Sequence, residues 1–277
     1  MRSTWTEGAA GWIEHEHVFD AIFAPLTAAV LDAADLRPGH RVLDVGCGSG
    51  SLLEAAVAAG ASPVGVDISA PMVEAARRRV PAAQVLVADA QTTDLGAQAP
   101  GAPFDRVVSR FGVMFFADPV EAFDRIRAAS APGAGLAFVC WRSHAENPMF
   151  TLGTDVLTRR LPPAEPAPAT APGPSSLADP VRVRGVLGDA GWSDVVLDPL
   201  DVVLDHGFAG TDGVEERLAT ILATTVGREA RAALLPGLGA DGWAALLEEV
   251  RAELRGSLVD GAVRLPAATW LVTARSR

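Results

Sequence analysis

The sequence contains no lysine and no tyrosine, and it has only two cysteines, Cys47 and Cys140. The first absence excludes Schiff-base chemistry and ammonium bases; the second excludes phenolic acids. Every one of the 23 basic residues is therefore an arginine. Two cysteines make neither a disulfide framework nor a metal site, so no metal is expected and both read as small buried residues. No apolar run approaches the ~20 residues of a membrane span. The first residues lack the apolar core of a secretory signal. A cytoplasmic location with no membrane partner is the expectation. Positive charge is also scarce: the net charge is −11. A basic face for phosphates is missing, which argues against a nucleic-acid partner. The one tight basic run, Arg77-Arg78-Arg79, ends a predicted helix and reads as a solvated face that complements the helix dipole.

What is present is apolar: 49% of the 277 residues are hydrophobic. That is enough for one large α/β domain with an appended cap. Residues 12–34 read as one amphipathic helix, with Trp12, Phe19, Phe23, Leu26 and Val30 at helical spacing. Short apolar strands then alternate with helices: strands at 41–45, 63–66, 83–88, 104–109 and 135–141, helices at 51–59, 70–80 and 119–129. Such alternation indicates a parallel sheet covered on both faces. Beyond residue 143 the order loosens. Pro162 to Pro174 is too rich in proline for an ordinary helix and reads as a loop. A helix at 180–191, a strand at 194–204, two or three helices within 211–256 and a final strand at 262–274 follow. In that last strand Pro266 marks an edge, a bulge or a strand start. The division expected is a cap helix (1–36), a core (37–143), a proline-rich insert with a helix and strand (144–210), a helical cap (211–257) and the last core strand (258–277).

The sharpest local feature is Val42-Leu43-Asp44-Val45-Gly46-Cys47-Gly48-Ser49-Gly50, a buried strand running into a glycine-rich turn and a helix. Such turns let a ligand approach the backbone closely. Three details narrow the ligand. Ser51 stands where a dinucleotide fingerprint places its third glycine. Asp44, just before the turn, would repel a pyrophosphate but suits an ammonium or sulfonium. Asp67, at the end of Val64-Gly65-Val66-Asp67-Ile68, lies 17 residues after Gly50 and can accept bonds from both ribose hydroxyls. Asp89, closing Val85-Leu86-Val87-Ala88-Asp89, can accept from an adenine amino group. Adenine, a free ribose, an amino-acid tail and no phosphate describe S-adenosylmethionine (SAM). Taken singly, Asp67 and Asp89 would be ordinary loop-capping acids.

VLDVGCGSG, VGVDIS, VLVADA and FDRVVSRFGVMFF, in this order and spacing, resemble the motifs of class I SAM-dependent methyltransferases. The branch includes the ubiquinone and menaquinone C-methyltransferases and many specialised-metabolite enzymes. The resemblance covers roughly residues 1–143; Ala131-Pro132-Gly133-Ala134-Gly135 departs mildly from the family's pre-strand turn. It implies a Rossmann-like doubly wound sheet of seven strands, mostly parallel with the last antiparallel, plus a helical substrate cap. It also implies site residues. Asp44, Gly46, Cys47, Gly48 and Gly50 would line the methionine part of SAM. Asp67 would hold the ribose, and Ile68, Met72, Asp89 and Ala90 would surround the adenine. Arg110 and Phe111 would close over the reacting centre.

The acceptor should lie beyond the carboxyl ends of the strands. Trp5, Trp12, Phe19, Met114, Phe115 and Trp141 are the candidates for a dry wall around a small apolar or aromatic acceptor, although for each alone ordinary core is the bland reading. If the acceptor must lose a proton, His15, inside the helical stripe, and His144, after the fifth strand, are the candidate bases. Carbon, nitrogen or oxygen could be methylated, in specialised or cofactor metabolism, by a monomer or homodimer. A cyclase or lyase on the same fold, or a non-catalytic SAM-binding regulator, would share the cofactor motifs. A nicotinamide oxidoreductase is disfavoured by Asp44 and Ser51.

Overall fold

A computed structural model describes residues 2–163, 168 and 170–277, with side chains from residue 8 onward. Among the described residues seven strands alternate with helices in the order the sequence indicates. The strands are β1 (Arg41–Val45), β2 (Ser62–Asp67), β3 (Gln84–Val87), β4 (Phe104–Arg110), β5 (Ser130–Trp141), β6 (Trp192–Asp205) and β7 (Arg264–Ser276). The helices are α1 (Arg2–Glu14), α2 (Glu16–Ala34), α3 (Ser51–Ala58), α4 (Ala70–Arg79), α5 (Leu95–Gln98), α6 (Pro119–Ala128), α7 (Thr154–Thr158), α8 (Pro180–Asp189), α9 (Val214–Ala223) and α10 (Thr225–Arg255). The sheet order is β3-β2-β1-β4-β5-β7-β6, with β7 antiparallel to both of its neighbours. The chain therefore steps outward from β1 to β3 and returns to place β4 beside β1. The crevice of such a sheet opens where the strand order reverses, between β1 and β4.

The strands of the parallel half are apolar on both sides: Val42, Leu43, Val45, Val64, Val66, Val107 and Val108 are all buried. Helices on both faces require that pattern. Pro266 costs the sheet nothing. It pairs with Val203 of β6, and the pairing of β7 with β5 begins only at Thr269. Its missing N–H thus falls where β7 is locally an edge.

The N-terminal segment differs from the sequence expectation. There is no single helix over 12–34; the chain turns at His15, which lies outside the helical φ/ψ region (φ −111°, ψ 23°). α2 is a helix of the core. It lies against β4 and β5, and Val18, Phe19, Ile22, Phe23, Leu26 and Val30 are buried. By length and composition α2 is also apolar enough to cross a membrane, a feature the sequence reading missed; this buried face is what its apolar residues serve. α1 reaches α9, where a Cβ on Gly11 would stand 2.9 Å from the Ala223 Cα. The glycine is what allows the two backbones to approach so closely. A chain lacking residues 1–14 is accordingly expected to unfold cooperatively and to bind SAM within about threefold of the full chain. A circular-dichroism melt and calorimetry check this, and a non-cooperative melt would show that α1 is core after all.

In the second half, α10 is interrupted at Gly239 (φ 67°, ψ 179°), so α9 and α10 together make three helical stretches. The Pro162–Pro174 loop reading falls partly on Ala164, Glu165, Pro166, Ala167 and Ala169, which lie outside the described residues. Its far end is tied down: Gly173 N–H and the Ser176 hydroxyl both donate to the Met114 carbonyl, at 3.0 and 2.6 Å.

Candidate active site

The glycine-rich turn sits at the switch point because glycine is needed there twice. Gly46 has φ 69°, and a Cβ on it would stand 2.7 Å from the Gly112 Cα. A Cβ on Gly112 would meet the Val45 carbonyl oxygen at 2.5 Å. The turns after β1 and β4 thus touch backbone to backbone, and the Ser109 hydroxyl locks them by donating to the Val45 carbonyl (2.7 Å) and accepting from Gly112 N–H (3.2 Å). Over Gly48 the space is open, with nothing within 4 Å of a Cβ position.

That opening belongs to a cavity of about 590 Å³, within the roughly 300–1,000 Å³ of small-molecule sites. Of the residues expected around the cofactor, Asp44, Gly46, Cys47, Gly48, Asp67, Ile68, Met72, Asp89, Ala90, Arg110 and Phe111 border it. Gly50 does not. It turns the chain into α3 at φ 98° and packs against Ala76 and Val80. Cys47 is buried with its thiol held well above the usual cysteine range by that burial and by Asp44 and Asp67, so it is a neutral turn residue.

Asp44 is 1% exposed and neither carboxylate oxygen has a hydrogen-bond partner. Burial pushes its carboxyl up to about 8, against the pull of the Arg110 guanidinium. Asp67 is half-buried and better served. Its carboxylate accepts from Gly48 N–H at 2.9 Å and Ser69 N–H at 2.8 Å. Burial raises its pKa, and these backbone donors oppose the rise. Asp89 accepts from Gln91 N–H at 3.0 Å. Arg110 is held from three sides. It donates to the Thr27 hydroxyl (2.7 Å) and the Ser51 hydroxyl (3.2 Å), and lies 3.7 Å from Asp20.

Asp20 was not legible as a site residue; in the sequence it is one acid on a predicted helix. In the structure it borders the cavity and receives Ser51, Arg79 (2.6 Å) and Arg110. The basic run at the end of α4 is corrected by the same network. Arg79 is 20% exposed and bridges Asp20 and Glu54, so it leaves the solvated face, whereas Arg77, which also donates to the Val85 carbonyl, and Arg78 stay exposed as that reading has them.

The rest of the cavity wall is aromatic. Trp12 stacks on Phe19 (3.8 Å between centroids), Phe111 on Trp141 (4.4 Å), and Trp141 meets Phe150 edge-on (5.3 Å). Phe111 carries a positive φ of 64°, a conformation costly for a bulky residue and found where surrounding contacts enforce it. Of the expected acceptor-side residues, Trp12, Phe19, Met114, Phe115 and Trp141 border the cavity; the Trp5 side chain lies outside those described. His144 borders it too, stacked on Phe150 at 4.4 Å. His15 does not, because the turn at this residue takes it off the stripe that faces the cavity. Sequence reasoning also missed Glu16, Gln91, Gly112, Thr154, Arg217 and the α9–α10 junction at Thr224 and Thr225, all of which border it.

Comparison with known proteins agrees with this geometry. Residues 42–133 match the methyltransferase domain family. A demethylmenaquinone methyltransferase of Renibacterium salmoninarum is 30% identical over 176 residues, 60% of this chain and 72% of that protein. An aklanonic acid methyltransferase of Streptomyces sp. (strain C5) is 32% identical over 140 residues, 48% of this chain and 59% of that protein. Among solved structures, phosphoethanolamine N-methyltransferase 2 of Haemonchus contortus, in complex with phosphomonomethylethanolamine and S-adenosylhomocysteine, superposes with a TM-score of 0.53 at 17% identity. That match covers 94% of this chain and 56% of the nematode protein, and shows the fold. With the sheet order, the glycine turn and these relatives in agreement, the chain belongs to the class I SAM-dependent methyltransferases.

Proposed function

We propose that this enzyme methylates a small acceptor with an apolar or aromatic body, held between the cofactor turn and the cap helices. The observation that carries the reading is the continuity of one cavity from the acids Asp44, Asp67 and Asp89 to the ring wall of Phe111, Trp141 and Phe150. The acid end fits SAM. Asp44 is an orphaned buried carboxylate, which asks for a cation, and the open space over Gly48 admits the amino-acid tail. Asp67 keeps lone pairs for the ribose hydroxyls after accepting its two backbone bonds. Asp89 would accept from the adenine amino group, with Ile68 and Met72 packed on the ring. SAM, when bound, would supply a methyl carbon made electrophilic by its sulfonium, with the sulfur as leaving group. The chain's own work is to orient the acceptor's nucleophilic atom and to exclude water. The aromatic wall does both. Where the acceptor must lose a proton, His144 is the candidate base; among the described residues it is the histidine bordering the cavity.

The test is a mass-spectrometric screen of aromatic and quinoid metabolites for methyl gain in the presence of enzyme and SAM. Acceptors drawn only from polar, non-aromatic compounds would overturn the substrate class. The cofactor end has its own signature in pH. Asp44 in the free protein is protonated below about 8, whereas a bound cation favours its ionised form. Binding must then release a proton, so SAM affinity is expected to rise by roughly tenfold per pH unit from pH 6 to 7.5. Asp44→Asn should give a flat profile. The same raised pKa means that Asp44 opposes folding as pH rises from its unfolded value of 3.8 through about 8. Titration calorimetry in buffers of different ionisation enthalpy reads the proton directly; a wild-type profile without slope would exclude Asp44 as the cation's partner.

A further inference from the structure

Arg217 of α9 is 1% exposed, the one arginine among the described residues that is buried. A guanidinium has five donors. Two bonds from Nη2 go to the carbonyls of Met149 (2.5 Å) and Leu152 (2.9 Å), and one from Nη1 to the Thr220 hydroxyl (3.4 Å). The Nε–H is buried with no partner. Among the described residues no carboxylate is paired with Arg217. A buried cation served only by neutral acceptors is expensive, and an isolated charge is normally paired. Burial alone pulls its pKa down to about 10, so the guanidinium remains charged at neutral pH. His206, buried nearby, is held neutral by burial (pushed down to about 3) and supplies no counter-charge.

Arg217 borders the same cavity as the cofactor turn. The path between them is traced by rings: Phe111 beside the turn, Trp141 stacked on it, and Phe150 edge-on to Trp141. The Met149 carbonyl that Arg217 binds belongs to the residue just before Phe150. Arg228, on the first turn of α10, borders the cavity too and has no carboxylate partner among the described residues, whereas the third bordering guanidinium, Arg110, lies 3.7 Å from Asp20. The acids Asp44, Asp67 and Asp89 border the cavity at or near the carboxyl ends of β1, β2 and β3, as do Glu16 and Asp20 from α2.

We propose that Arg217 anchors a carboxylate of the acceptor, so that the substrate class is an aromatic carboxylic acid whose ring lies along Phe111, Trp141 and Phe150 and whose methylated atom is distant from the carboxylate. The inference deepens the proposed function and rests on it. Its logic is completion: the acceptor brings the anion that the buried guanidinium lacks, and a planar carboxylate matches a planar fork. An acceptor of the same shape without the charge leaves the guanidinium as it was.

The test uses the protein saturated with S-adenosylhomocysteine and two probes of one shape, 2-naphthoate and 2-naphthamide, by calorimetry. Naphthoate is expected to bind at least tenfold more tightly than naphthamide, as a bond to a charged group requires. In Arg217→Gln the two affinities should come within twofold of each other, with binding of S-adenosylhomocysteine unchanged. Arg217→Lys should keep at least a threefold preference, which a role confined to bracing the Met149 and Leu152 carbonyls would not produce. If Arg217→Gln does not fold, the wild-type and Arg217→Lys comparisons decide. Equal affinities in the wild type, binding of neither probe, or a preference that survives in Arg217→Gln overturns the inference. Failure to bind S-adenosylhomocysteine at all would instead overturn the cofactor reading beneath it.

Discussion

Asp67→Ala is expected to weaken SAM binding by at least a hundredfold. Two losses combine. The bonds that the carboxylate is expected to accept from the ribose hydroxyls are charge-assisted, each worth ~1.5–3 kcal/mol. The same carboxylate also holds the turn, accepting from Gly48 N–H and Ser69 N–H across the gap between β1 and β2. Alanine leaves both donors without a partner in a half-buried place, and the turn that must present its backbone to the cofactor relaxes. Asp67→Asn retains one acceptor and should lose less. Calorimetry on protein with a preserved melting transition reads the effect, and an unchanged affinity would remove Asp67 from the site.

The second large effect is on the fold itself. Gly112→Ala is expected to cost about 3 kcal/mol of stability, lowering Tm by roughly 6 °C or more. The added methyl meets backbone on two sides, the Val45 carbonyl oxygen at 2.5 Å and the Gly46 Cα at 2.9 Å. Neither can move as a side-chain tip would. Relief requires β1 and β4 to separate at the switch point, which breaks the Ser109 hydroxyl's bonds to both turns. SAM affinity should fall with stability, since the same separation opens the cofactor turn. A melting temperature within 1 °C of wild type would mean that the two turns are less tightly apposed than described.

The cofactor half of the site was legible because its requirements are local. Tight turns demand glycine at fixed places, and an acid at a strand end must stand within a few residues of the turn it serves. Asp44, Asp67 and Asp89 each lie next to the element that positions them, so spacing along the chain carried the geometry. Gly50 shows the limit: it belongs to the motif by pattern, yet its work is to turn the chain into α3 and pack on α4, away from the cavity wall. In the acceptor half the apolar wall was legible, since Trp12, Phe19, Met114, Phe115 and Trp141 border the cavity, but its polar residues were not, because they converge from distant segments. Asp20 is one acid among several on a helix until Ser51, Arg79 and Arg110 come to it from elsewhere. Arg217 looks like a surface residue in α9, and only the carbonyls after β5 show that it is buried. His15 failed for a related reason. A helical periodicity extended through it, but the chain turns there, and one turn redirects every side chain beyond it.

The cap that carries Arg217 is attached in a particular way. Residues 206–263 leave the sheet after Asp205 and re-enter it at Arg264, and these two residues are register partners across β6 and β7, joined by an ion pair of 3.0 Å. The excursion is therefore a stem-closed loop whose two ends are fixed at one point, whatever lies between them. The cost of closing such a loop grows only slowly with its length. The cap can be lengthened, shortened or exchanged with little consequence for the strands that hold the cofactor. An ancestral scaffold built this way can acquire new acceptors by grafting at a single stem, and chimeras joined at Asp205 and Arg264 are the natural route to retargeting it.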